Sequence, residues 1–89
     1  MAYQPPEAVR NAPLKATGGY DRQIAFELAR RGRADIHPAL IEGWMRLEHG
    51  CMDGLDARTF SREVRIAIDC FDEDPEASDR LARSYGLVG

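Results

Sequence analysis

Eighty-nine residues allow one small domain, and 44% hydrophobic with 30% charged residues is a globular composition, not a disordered one. The net charge of −3 excludes a broad basic field of the kind that drives non-specific nucleic-acid binding. Two cysteines exclude a disulfide scaffold, no apolar run reaches the ~18 residues of a membrane span, and the N-terminus lacks the apolar middle of a signal peptide. The expectation is a soluble cytoplasmic protein with free, mostly buried thiols.

Charge is unevenly placed. Residues 1–34 carry six Lys/Arg against three Asp/Glu, and residues 35–89 carry six against twelve. Residues 1–19 contain three prolines and the Gly18–Gly19 pair but few large apolar side chains. Proline ends helices and glycine raises the entropy that order removes, so this stretch is predicted as a mobile arm, with a helical turn near 7–11.

The first firm helix is predicted from Tyr20 to Arg31, closed by Gly32. Tyr20, Ile24 and Leu28 recur every four residues, with Ala25 and Ala29 flanking them as one core face. Phe26 falls well off that face. The next helix, residues 38–49, begins with Pro38 at a first helical position and ends at Gly50. Leu40, Trp44, Leu47 and Cys51 define its core stripe, and Ile41 and Met45 widen it to roughly 160°. Glu42, Arg46 and His49 take the opposite side, with Glu42 and Arg46 spaced for a helical ion pair. A helix this apolar is either central to the core or partly reserved for a partner.

Asp53–Gly54 signals a turn, and Asp56 caps a third helix from Ala57 to about Phe71, with Leu55 and Phe60 placed as a hydrophobic staple. Phe60, Val64, Ala67, Ile68 and Phe71 form its core face, Arg58, Arg62, Arg65 and Asp69 the reverse face, and Ile66 lies off both. Asp74–Pro75–Glu76 opens a last helix with Ala77, Leu81 and Tyr85 inward. Gly86 ends it, and Leu87 stands where a Schellman cap returns its apolar contact. No stretch alternates at period two. The fold expected is all-α, a compact four-helix domain over residues 20–89 behind a flexible arm over residues 1–19.

Chemistry is sparsely written. His37, His49, Cys51 and Cys70 could ligate metal, but only His49 and Cys51 are close in sequence, and structural zinc ligands come in close pairs. No nucleophile lies beside an activating base, and the acids from Asp69 to Asp79 straddle a helix link. No enzyme activity, metal or cofactor is expected.

Protein–protein contact has the most support, because Trp, Met and Arg are enriched where binding energy concentrates. The candidate binding residues are Phe26, Ile41, Trp44, Met45, Arg46, Arg62 and Ile66. The surplus apolar arc also predicts a homodimer with Ile41 and Met45 near its axis. The alternative is a DNA-binding regulator that uses the Arg58, Arg62 and Arg65 face, opposed by Asp69 on the same stripe and by the acidic total.

IHPALIEGWMRLEHG followed by FSREVRIAIDCF resembles small uncharacterised proteins of proteobacterial phages and related mobile elements, over about residues 20–87. The phrase holds no catalytic motif and assigns no residue roles. The resemblance implies a small early phage protein that binds and modulates a host complex or another phage component.

Overall fold

In a computed structural model the described residues are 3–10, 14 and 19–87. They form five helices: α1 (Glu7–Arg10), α2 (Asp21–Arg30), α3 (Pro38–His49), α4 (Ala57–Glu73) and α5 (Glu76–Ser84). The fold is all-α. The Cα radius of gyration is 11.9 Å, against about 12 Å for a compact chain of this length. None of the helices is long and apolar enough to cross a membrane.

α3 is the axis of the domain, in contact with α2, α4 and α5. Ala39, Leu40, Ile41, Glu42 and Gly43 are consecutive and all buried, and Met45 follows them into the core. Five successive helical residues span more than a full turn, so every side of this half-helix is covered. The widened apolar arc therefore reflects three neighbours, and the expected solvent side does not exist at Glu42. The C-terminal half emerges from cover: Trp44 is half-buried, and Leu47 and Cys51 are exposed. The core stripe read through Leu40, Trp44, Leu47 and Cys51 holds fully at Leu40 and in part at Trp44, which packs against the core, and fails at Leu47 and Cys51.

The helix ends follow the sequence signals. Asp56 Oδ1 accepts the Thr59 amide at 2.7 Å, capping α4. Gly32, Gly50 and Gly86 adopt positive φ. At the end of α5 the Leu87 amide donates to the Ala82 carbonyl at 2.9 Å and Gly86 to Arg83, a Schellman pair that turns Leu87 back into the core. α2 closes the same way, with Arg33 donating to Leu28 and Gly32 to Ala29. α5 starts at Glu76, one residue later than expected, and buries Ser78, Leu81 and Ala82 while Tyr85 is exposed. On α2, Ala25 and Ala29 are also exposed, and only Ile24 and Leu28 are fully inward.

The N-terminal stretch departs most from expectation. Residues 1, 2, 11–13 and 15–18 lie outside the described residues, but 3–10 pack on the domain. α1 lies against α5, and Tyr3 is buried with its ring 6.4 Å from that of Phe71. Ser78 Oγ donates to the Pro75 carbonyl at 2.6 Å, so its single proton is committed and Tyr3 Oη donates to Ser78 Oγ at 2.9 Å. Burial pushes the Tyr3 hydroxyl pKa up. The helical turn expected near 7–11 is present as α1, a fifth helix, but it and the buried Tyr3 pack on the domain where a mobile arm was expected. Tyr3→Ala should destabilise by about 3 kcal/mol. Tyr3→Phe should cost about 1 kcal/mol, since Ser78 keeps its carbonyl partner. Urea denaturation of the two variants checks both values.

His37 caps α3 through its ring: Nδ1 accepts the Ala39 amide at 3.0 Å. A protonated imidazole has no acceptor there, and burial already lowers the His37 pKa. The unfolded chain therefore binds this proton more readily than the fold does. Stability should fall as pH drops below the unfolded value of about 6.5 and level off below the folded one, with a loss on the order of 1 kcal/mol. His37→Asn keeps an acceptor at the cap and should remove that part of the slope in denaturation curves between neutral pH and about pH 5.

Candidate functional site

A groove of about 280 Å³ opens where α3 leaves cover, between α3, α4 and α5. Trp44 and Leu47 of α3 form one wall, and Cys70 and Phe71 of α4 the second. Ala77, Arg80, Leu81 and Ser84 of α5 complete it. Its position follows from helix lengths and caps. α3 continues past the covered half until Gly50 ends it, and the turn through Pro75 lays α5 across the end of α4.

Leu47, which sequence reasoning assigned to the core, is 61% exposed at the rim. Its carbons meet water on one side and the Trp44 ring beside them. Phe71 and Leu81 are buried residues that also line the floor, so the groove is continuous with the core. Arg80 is the cation of the lining, and its Nη2 lies 2.7 Å from Asp74 Oδ2. That pairing holds the Asp74 carboxyl below the usual carboxylate range.

The other candidate residues scatter. Ile66 is half-buried on α4, one turn before Cys70, and is not among the residues that line the groove. Phe26, 66% exposed, stands on α2, which contributes nothing to the groove. Ile41 and Met45 are fully buried, so neither is a surface binding residue and no dimer axis can pass through them. Arg46 is a structural residue: its Nε lies 3.3 Å from Oε2 of the buried Glu42. Sequence spacing found this pair but placed it in solvent.

Arg58, Arg62 and Arg65 are exposed on the outer face of α4. Arg65 is turned to Asp69 at 3.5 Å, whereas no carboxylate among the described residues is within ion-pair distance of Arg58 or Arg62. The four potential metal ligands do not converge: among the described residues no three His, Cys, Asp or Glu side chains are placed to hold an ion. His49 instead faces Glu63, with Nε2 3.6 Å from Oε1. Cys51 and Cys70 are free thiols, and Cys51 is exposed where burial was expected.

Comparison with protein-family models, with curated proteins and with solved structures finds no match to this chain. The groove is therefore judged on its residues. Two of them should behave oppositely. Arg46→Ala removes a charged partner of the buried Glu42 carboxylate and should destabilise by about 3 kcal/mol, whereas Leu47→Glu, at an exposed rim, should stay within about 0.5 kcal/mol of the parent. Thermal melts of the two variants test this assignment of structural and surface roles.

Proposed function

We propose that the chain is a small non-enzymatic protein-binding module that seats an apolar segment of a partner between α3, α4 and α5. The observation that carries this reading is the exposed Leu47 beside the half-buried Trp44, at the mouth of an apolar groove. Tryptophan at the centre of a desolvated pocket is the commonest anchor of binding energy. The groove falls just under the ~300–1,000 Å³ of small-molecule sites, a size suited to one or two inserted side chains. The resemblance to phage proteins extends the reading to a phage- or prophage-encoded modulator or inhibitor of a host protein complex, acting in the cytoplasm.

A DNA-binding regulator is the competing reading, favoured by the exposure of Arg58 and Arg62, which make no ion pair among the described residues. It stands second because Asp69 occupies the same face and neutralises Arg65, leaving few cations to displace counterions.

Affinity capture from a lysate of the source cell separates the two. A protein retained through a high-salt wash by the parent chain, and lost with Leu47→Glu, is the expected outcome. Nucleic acid retained by the parent, released by salt and lost with Arg58→Glu/Arg62→Glu would replace the first reading by the second. The single tryptophan also reports directly, because a partner covering Trp44 should shift its fluorescence to shorter wavelength.

A further inference from the structure

α2 carries a second apolar feature that the groove does not use. Phe26 projects from its outer face, 66% exposed. Beside it, on the same helix, a hollow of about 150 Å³ is lined by Ala25, Leu28 and Ala29, and closed by Ala34, Ile36 and Pro38 from the link into α3. A cavity of about 150 Å³ accommodates benzene, so the hollow matches the ring of Phe26 in size and in apolar character. The ring cannot fill the hollow of its own chain, because residue 26 points some 60–100° around the helix from Ala29 and Ala25. A second copy can.

The charges fit the same pairing. Arg22, one turn before Phe26, has no carboxylate within ion-pair distance among the described residues. The hollow's side of the helix begins with Asp21, one turn before Ala25. Asp35, beside the hollow's Ala34 and Ile36, shares the Arg33 guanidinium with Asp72, so two carboxylates draw on one cation. The knob is thus basic and the hollow's rim acidic. The register agrees too. Arg22 and Phe26 each stand one residue, about 1.5 Å of rise, from Asp21 and Ala25.

We propose that the chain forms a two-fold homodimer in which α2 helices run side by side and parallel, each Phe26 seated in the hollow of the other copy. In such a pair, residues at equal height meet across the axis, so Arg22 reaches the partner's Asp21 while Phe26 reaches the partner's Ala25 and Ala29. The contact is isologous, and each copy gives and receives one ring. The groove on the far helices stays open in the dimer, so this inference does not depend on the function proposed above.

Sedimentation across the micromolar range tests it on the full chain. The parent should sediment at twice the mass of the 10.0 kDa chain. Phe26→Glu should weaken association about 1,000-fold, the effect of losing two hot-spot side chains per dimer, with an unchanged helical circular dichroism spectrum. Ala29→Trp, which fills the hollow from the other side, should do the same. Arg22→Glu should also weaken the pair, and Asp21→Arg added to Arg22→Glu should restore it. A single-chain mass at every concentration overturns the proposal. So does a dimer indifferent to Phe26→Glu and Ala29→Trp, or one that Leu47→Glu dissociates.

Discussion

Covering α3 from every side is the demand that shapes this chain. A domain of this size has a small interior, and a helix with five consecutive enclosed residues takes up its centre. Three consequences follow on the helix itself. Its start is capped by the His37 ring, which supplies the acceptor for the Ala39 amide. One side is packed directly by the end of α5: a Cβ at Gly43 would meet Leu87 Cδ1 at 3.4 Å and Leu81 Cδ2 at 3.6 Å, ordinary contact distances. The Schellman turn that delivers Leu87 is therefore part of the same packing event. Lastly, a carboxylate caught inside needs its cation within reach, and Arg46 lies one turn further on, where the helix begins to emerge.

The seams around α3 divide by chemistry. The inner contacts are apolar, from Ile24 and Leu28 of α2 to Phe60, Val64, Ile68 and Phe71 of α4 and Leu81 of α5. The outer seam between α2 and α4 is polar. Arg31 donates to both the hydroxyl and the carbonyl of Ser61, and that hydroxyl donates to Glu27. Burial pushes the Glu27 pKa up, but its bonds from Arg31, Arg30 and Ser61 outweigh that and hold it low. Further along, the Arg33 fork grips both oxygens of Asp72 at 2.7 and 2.6 Å and ties the α2–α3 link to the end of α4. These bonds fix the rotation of α2 about its axis. That rotation keeps Ile24 and Leu28 inward and leaves Ala25, Phe26 and Ala29 outward.

The helices and their ends were legible because capping is local: Asp56, Gly32, Gly86 and Leu87 each act within a turn of where they stand in the sequence. The face of α3 was not. Hydrophobic periodicity reports a direction only when one side of a helix is wet, and a fully enclosed half-helix has no such direction to report. Reading the stripe through Leu40 to Leu47 carried the signal of the covered half into the uncovered half, which is why Leu47 was assigned inward and Met45 outward. Tyr3 was illegible for another reason. It is one aromatic among prolines, and its partner Ser78 lies 75 residues away. Ile36 and Met52 are buried in links where no periodicity exists to mark them. Of the candidate site, Trp44 was found, whereas Cys70, Arg80 and Leu81 joined the groove only through the placement of α5.

α3 thus does two things along twelve residues. Its enclosed half is held from all sides, and its emergent half presents Trp44 and Leu47 from a base that cannot rotate. A surface built on such a base loses little freedom when it is covered, because the ordering was completed in folding. The same continuity runs inward through Phe71 and Leu81, which pack in the core and floor the groove. Anything seated there extends the core by its own apolar area, so occupancy of the groove and stability of the fold are linked quantities: a ligand that binds only the folded chain raises its stability by RT ln(1 + L/Kd), with L the free ligand concentration, which grows with the logarithm of that concentration once the site is filled.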